Sequence, residues 1–270
     1  MNLHVTGLVR ILPSSETVLA LCLVLLLLAA GCGAVTSGSE VERLRPVVLA
    51  KLPHDTAAFT QGLEVAGPVL YEGTGLAGRS ELRELDATTG AVRCAVPLPD
   101  DLFGEGITVV GDRIWQLTWR DGVALEWDRA ELTLRRRVRL DGEGWGLCHD
   151  GSRLVRSDGS ARLFFHDPIT FAARGQLDVR LNGRPVTGLN ELECTDGEVW
   201  ANVWPTERIV RIDPTDGRVT AVVEAGELRD AVRGADVDVL NGIAAVGEGE
   251  YLLTGKNWPI TFRVRFATMS

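Results

Sequence analysis

The stretch Phe103-Gly104-Glu105-Gly106-Ile107-Thr108 sets a lone carboxylate between two glycines at the head of an apolar run. Glycine on both sides leaves that side chain little shielded and lets a second backbone approach closely, which suits a site better than a packed core. Gly-Glu-Gly is also a plain way to turn into a strand, so the triplet alone decides nothing. Its recurrence does. Gln61-Gly62-Leu63, Glu105-Gly106-Ile107, Trp145-Gly146-Leu147, Asn190-Glu191-Leu192 and Asn241-Gly242-Ile243 take the same place in five successive segments. The apolar anchors Leu63, Ile107, Leu147, Leu192 and Ile243 are 44, 40, 45 and 51 residues apart. Each is followed by a turn and a second strand, ending at Gly75, Trp119, Gly159, Trp204 and Lys256.

A second pattern travels with the first: an alternating strand that ends in aspartate, at Asp86, Asp128, Asp167 and Asp213. These aspartates precede turn residues, where a side-chain oxygen can accept from the backbone that follows. A fourth strand then closes each unit, at 91–98, 132–140, 171–180 and 218–225. The fifth unit has its third strand at 261–266 and then the chain ends, whereas the alternating segment 46–52 is left over at the other end. Five units of four short strands predict an all-β fold, a five-bladed β-propeller, in which each blade hides its apolar faces against its neighbours. Residues 46–52 are expected to supply the missing strand and fasten the ring. Several β-sandwiches also show regularly spaced strands, but not five units in a fixed two-pattern order. The longer gap before Ile243 leaves room for a short helix within 227–239.

Ahead of this domain, Arg10 is followed by thirteen uncharged apolar residues at 18–30 and then Gly31-Cys32. A bilayer takes about 20 apolar residues to span, so 1–31 reads as a secretory signal peptide. Ala29-Ala30-Gly31 before Cys32 resembles a bacterial lipobox with Ala in place of the usual Leu, which makes Cys32 the expected lipidation site. Residues 32–45 are small and polar and read as a flexible tether, with the propeller occupying 46–270. The protein is thus expected to be exported, periplasmic or at the cell surface, held to a bacterial membrane only by its lipid.

The 270 residues carry 28 basic and 37 acidic side chains, a net charge of -9. No basic stripe is present, which excludes nucleic acid as an expected partner. Cys94, Cys148 and Cys194 show no paired short spacing and read as buried small hydrophobes. His54, His149 and His166 lie far apart and form no metal-ligand spacing.

Superposing the anchors brings Gln61, Glu105, Trp145, Asn190 and Asn241 to one mouth of the central channel, with Gly75, Trp119, Gly159, Trp204 and Lys256 returning to the same rim. Taken singly, a strand tryptophan is usually core and a lone lysine usually solvated surface. Their convergence on two repeat positions is the stronger signal, because ligand sites are apolar clefts with a few aimed polar groups.

The motifs Phe59-Thr60-Gln61-Gly62-Leu63, Phe103 to Thr108, Gln116-Leu117-Thr118-Trp119, Gly142-Glu143-Gly144-Trp145-Gly146-Leu147, Leu189-Asn190-Glu191-Leu192, Ala201-Asn202-Val203-Trp204, Leu240-Asn241-Gly242-Ile243 and Thr254-Gly255-Lys256-Asn257-Trp258-Pro259 resemble, in order, those of the plant and bacterial glutaminyl-peptide cyclotransferases. That resemblance implies a five-bladed propeller acyltransferase that converts the N-terminal glutamine of peptides or proteins to pyroglutamate and releases ammonia, with no cofactor and no catalytic metal. It places the catalytic glutamate on Glu105 and the substrate pocket on Phe59, Gln61, Phe103, Trp119, Trp145, Asn190, Trp204 and Lys256. The expected assembly is a monomer. One rival is a non-catalytic propeller that binds a ligand or peptide with the same aromatic mouth. A metal-dependent propeller hydrolase would need several carboxylates at the mouth, where only Glu105 is acidic. A serine hydrolase would need nucleophile-elbow glycines that Ser157-Asp158-Gly159-Ser160 lacks.

Overall fold

The computed structural model describes Met1 and residues 40–99, 101–232 and 236–269. The signal peptide read at 1–31 and the lipidation read at Cys32 lie outside the described residues. The domain from Glu40 onward is nearly all strand. Its first element, β1 (Glu42–Pro53), begins ahead of the expected start at Pro46. Part of the segment read as tether is therefore structured: Val41 and Leu44 pack into the core, and Glu42–Leu44 pair with another strand.

Four-stranded antiparallel sheets follow in chain order. The first holds β2 (Thr60–Ala66), β3 (Val69–Thr74), β4 (Glu81–Asp86) and β5 (Val92–Pro97). The second holds β6 (Gly104–Val110), β7 (Arg113–Thr118), β8 (Val123–Asp128) and β9 (Leu134–Arg139). In the third are β10 (Leu147–His149), β11 (Leu154–Arg156), β12 (Arg162–His166) and β13 (Ala173–Asp178). A two-stranded hairpin, β14 (Arg180–Leu181) with β15 (Arg184–Pro185), comes next. Then come β16 (Leu189–Thr195), β17 (Glu198–Val203), β18 (Arg208–Ile212) and β19 (Val219–Glu224), a six-residue helix α1 (Gly226–Ala231), and β20 (Leu240–Gly247), β21 (Glu250–Gly255) and β22 (Ile260–Thr268).

The last seven of these strands and β1 form one eight-stranded sheet, because β1 lies between β19 and β22. It pairs antiparallel to β22 from Leu44↔Thr268 to Pro53↔Ile260, and parallel to β19 through Glu42–Leu44. The unit that the sequence leaves one strand short is completed here. The first strands of the units are neighbours in a closed cycle: β2 beside β6, β6 beside β10, β10 beside β16, β16 beside β20, and β20 beside β2.

Apolar residues fill the spaces between consecutive four-stranded units. Tyr71 and Leu82 meet Ile114 and Leu125; Trp115 and Leu117 meet Leu147 and Leu154; Val155 and Leu163 meet Leu192 and Val199; Ile209 and Val223 meet Leu253 and Phe262. A fifth cluster joins Ala244 and Leu252 of the last unit to Leu63 and Leu70 of the first. The inner strands of each unit are thus covered by those of the next unit round, while the fourth strands β5, β9 and β13 are largely exposed. The turn aspartates behave as their spacing predicts. Asp86 accepts from the backbone N–H of Thr88 and Thr89, Asp128 from Ala130 and Glu131, and Asp167 from Ile169 and Thr170. Each is also paired with an arginine on the following strand, Arg93, Arg135 and Arg174.

The cysteines differ from their expected state. Cys148 and Cys194 form a disulfide, and Cys94 is exposed on β5. The pair is 46 residues apart in sequence, yet the two sit on β10 and β16, which are neighbours in the cycle, so repeat geometry rather than short spacing brings them together. Closing a loop of that length restricts the unfolded chain by about 3–4 kcal/mol in the chain-entropy account. Reduction, or replacing both cysteines by alanine, is expected to lower the thermal midpoint by roughly 5–15 °C, given about 2–4 °C per kcal/mol for a domain of this size; differential scanning calorimetry with and without reductant measures it.

Candidate active site

The residues that precede the anchors are aimed by a shared backbone irregularity. Along β2 and β3 the register passes from Thr60↔Thr74 to Gly62↔Gly73, which leaves Gln61 as an extra residue. The same step occurs between Gly104 and Ile107 in β6, Leu189 and Leu192 in β16, and Leu240 and Ile243 in β20. A β-bulge of this kind turns the side chain of the extra residue out of the ladder. Gln61, Glu105, Asn190 and Asn241 all stand in such bulges, and their side chains gather at one end of the cycle of first strands.

All nine residues singled out from the sequence line one cavity of about 420 Å³: Glu105, Phe59, Gln61, Phe103, Trp119, Trp145, Asn190, Trp204 and Lys256. Phe103 is the hub of one wall, with Phe59 edge-on to it at 6.3 Å and Trp119 tilted against it at 5.5 Å. Trp145 and Trp204 form the other, edge to face at 5.8 Å. Gly75 and Gly159 at the rim make room for these rings: a Cβ on Gly75 would stand 2.5 Å from the Phe103 ring, and one on Gly159 2.7 Å from the Trp145 ring. Trp204 is 45% exposed and forms the outer lip.

Polar atoms are few and oriented. Glu105 is buried and its Oε1 accepts from Gln61 Nε2 at 2.9 Å. Gln61 is held in that sense from behind by Asn241, whose Nδ2 donates to Gln61 Oε1 at 3.2 Å and to the Thr60 carbonyl at 3.0 Å. Asn241 is therefore a support for Gln61 rather than part of the wall. Asn190 is buried, and its Oδ1 is a buried acceptor with no protein donor. Lys256 brings its ammonium 4.7 Å from the centre of the Phe59 ring. Burial pushes the Glu105 carboxyl well above the ordinary carboxylate range; Lys256 opposes the rise, and the negative charges of Glu143 and Asp121 add to it. Burial likewise lowers the Lys256 ammonium, with Glu105 and Asp238 pulling it back. A carboxyl group so placed holds its proton more tightly than an exposed one, as a general acid–base group needs.

Leu76, Arg120 and Asp238 also line the cavity and were not expected from the sequence. Leu76 and Arg120 directly follow the rim positions Gly75 and Trp119, so reading the repeat one residue further would have found them. Asp238 comes from the segment between α1 and β20, which has no counterpart in the other units. Both indoles on the Arg120 side donate to one carboxylate oxygen, Glu143 Oε2, from Trp119 Nε1 at 3.0 Å and Trp145 Nε1 at 2.9 Å. Among the described residues no group of three or more His, Cys, Asp or Glu side chains is arranged to hold a metal ion.

An all-β domain with an aromatic-walled cavity, one buried carboxyl and one buried ammonium defines a site for a compact group with apolar and polar surface. The comparisons agree on its kind. The profile of the glutamine cyclotransferase family matches residues 17–266. A glutaminyl-peptide cyclotransferase of Arabidopsis thaliana is 39% identical over 247 residues, covering 87% of this chain and 77% of that protein. The crystal structure of Myxococcus xanthus glutaminyl cyclase superposes with a TM-score of 0.80 at 38% identity, over 86% of this chain and all of that one. The chain belongs to the glutamine cyclotransferase family.

The raised pKa of Glu105 has a stability consequence of definite sign. The folded value lies above the ordinary 4.5, so the folded state binds the proton more tightly and loses stability as pH rises from the unfolded value to the folded one. Glu105→Gln removes that loss. The thermal midpoint of the variant, relative to the parent, is expected to climb as pH is raised from about 4.5 to 8, by about 2–4 °C for each kcal/mol relieved; thermal melts at a series of pH values test it.

Proposed function

We propose that the protein converts the N-terminal glutamine of peptides and proteins to pyroglutamate with release of ammonia, and that Glu105 is the catalytic residue. The observation that carries the reading is a single carboxyl group, buried and raised, at the floor of a cavity walled by Trp119, Trp145 and Trp204. The nucleophile for cyclisation is already in the substrate. An α-amine has an ordinary pKa of about 8 and is partly neutral at working pH. What the site must supply is a folded-back side chain, exclusion of water and a path for one proton.

In the step itself the α-amine nitrogen forms a bond to the side-chain amide carbon. Ionised Glu105 takes the proton that the amine loses and delivers it to the amide nitrogen. The carbon–nitrogen bond of the amide then breaks, ammonia leaves, and Glu105 is again a carboxylate. Ammonia departs far more readily than an amide anion, which is why the shuttle is needed; such general acid–base help contributes roughly 10² to 10⁴ in rate. The three indoles hold the compact conformer. Gln61, Asn190 and Lys256 are candidates to bind the amide and to steady negative charge that develops on its oxygen.

The closed cycle of first strands, each leading a four-stranded unit, supports a five-bladed β-propeller fastened by β1. The apolar run at 18–30 and Cys32 support export and attachment through lipid at Cys32. The Cys148–Cys194 disulfide supports an oxidising compartment outside the cytosol.

The chain from residue 33 onward is expected to release ammonia from a short peptide beginning with glutamine. Glu105→Gln is expected to lower kcat at least about 100-fold while the peptide still binds, read by coupled ammonia detection and by tryptophan-quenching titration. Equal activity of parent and variant would remove Glu105 from the chemistry, and a folded but silent parent would favour the non-catalytic binding propeller.

A further inference from the structure

The Gly142-Glu143-Gly144 triplet repeats the glycine–glutamate–glycine device of Gly104-Glu105-Gly106, yet Glu143 does not line the cavity. Both of its oxygens are occupied. Oε2 receives the indole N–H of Trp119 and of Trp145, two walls that come from different units. Oε1 receives Arg120 Nε at 2.8 Å, and the Arg120 guanidinium lies 4.0 Å over the face of the Trp119 ring. Trp119 is thus gripped along its edge by a carboxylate and across its face by a cation.

The backbone that carries Glu143 is held as firmly as its side chain. Gly144 N–H donates to the Trp119 carbonyl at 3.0 Å, and a Cβ on Gly144 would come within 2.7 Å of the Thr118 carbonyl oxygen. From beneath, Arg156 donates to the carbonyls of Glu143 and Asp141. Arg156 is only 3% exposed; its Nε reaches His166 Nε2 at 3.2 Å, and its guanidinium lies 4.3 Å from the Phe164 ring centre. A buried arginine spent on main-chain carbonyls fixes a loop, and the loop fixes the carboxylate. Indole rings on strand ends otherwise rotate about two side-chain torsions, and a misplacement of about 1 Å in a substrate-holding group can cost about 100-fold in rate. Supporting groups of this kind set the precision of a site they do not touch.

We propose that Glu143 is a positioning residue for the cyclisation: by accepting from both indoles at once it sets the angle between Trp119 and Trp145, and so the shape into which the glutamine side chain must fold. The proposal rests on the cyclase reading above for its effect on rate, but the grip on the indoles stands apart from it. Glu143 has a second effect that a purely structural group would lack. Gln61 donates to Glu105, and the charged groups whose fields act on it are Lys256, Glu143 and Asp121, so neutralising Glu143 removes one of two negative charges that favour the protonated form of Glu105. Glu143 itself is faced by Arg120 and the two indoles; although burial acts to raise it, bonds from Trp145, Arg120 and Trp119 keep its carboxyl below the ordinary range.

The test compares the full-length protein with Glu143→Ala and Glu143→Gln, using a short peptide that begins with glutamine. Glutamine keeps an oxygen for both indole N–H groups and removes the charge; alanine removes both. Expected for Glu143→Ala is a fall in kcat of about 10- to 100-fold with a smaller change in KM. Expected for Glu143→Gln is recovery of most of that kcat, with the acidic limb of kcat/KM moved to lower pH because Glu105 ionises more easily. In spectra of tryptophan-labelled protein, the indole N–H signals of Trp119 and Trp145, assigned with Trp119→Phe and Trp145→Phe, should move in Glu143→Ala and stay in Glu143→Gln. Parental kcat and unmoved indole signals in Glu143→Ala overturn the proposal. If the alanine variant does not fold, a Glu143→Gln protein with displaced indole signals and an unmoved acidic limb overturns it as well. A parent that folds but releases no ammonia sinks the cyclase reading instead, while the indole signals still decide whether Glu143 holds the two walls.

Discussion

The first strands of the units approach so closely that there is no space for a side chain where they touch. A Cβ on Gly62 would sit 2.5 Å from Ile107 N, one on Gly106 2.6 Å from the Trp145 carbonyl oxygen, and one on Gly146 2.0 Å from that of Asn190. The residue ahead of the anchor is glycine in four units, and in the remaining one it is Glu191, which is fully buried and accepts from the N–H of both Leu63 and Ile243. The absent side chains leave the space into which that carboxylate reaches. Everything at the mouth follows from this contact. With the backbones fixed against one another at the glycines, the bulged residue just before each is delivered to a common opening whatever its identity, and the repeat becomes a frame on which unlike side chains can be assembled.

The frame also explains how a carboxyl and an ammonium can be kept in an aromatic cavity. Neither group contributes to stability there: burial raises Glu105 and lowers Lys256, so each is held in the less comfortable of its ionic forms or forced toward neutrality. The apolar clusters between successive sheets, with residues such as Trp115, Trp258 and Phe262 wholly buried, offset that cost. Reactivity at the mouth is bought by packing in the walls.

Most of the architecture and seven of the nine candidate site residues could be read from the chain because both depend on the same two repeat positions; Phe59 and Phe103 lie off those positions and came from the family resemblance. Strand order, the turn aspartates and the partner of residues 46–52 follow from counting strands in each unit. What escaped reading depends on contacts between units that are not tied to the repeat. Cys148 stands one residue after its anchor and Cys194 two after its own, so nothing in their spacing marks them as partners. The bulges need the register of two strands at once. Asp238 enters from a segment found in one unit alone, and Glu143, although visible as a glycine-flanked acid, has its purpose set by two indoles that only the fold brings within reach.

β1 lies between the last strand of the chain and β19, and Met269 N–H donates to the Arg43 carbonyl at 2.8 Å. The earliest-made strand of the domain therefore waits for β19 to pair through Glu42–Leu44, and for β22, the latest-made strand, to pair along most of its length. Pairings so distant along the chain are slow to form, since the intervening segments must be ordered first. A protein fastened in this way has a natural order of assembly, in which four units can stack as they emerge while the ring stays open. The final event zips the first strand of the domain to its last, and so holds the unit that carries Lys256 against the unit that carries Phe59 and Gln61.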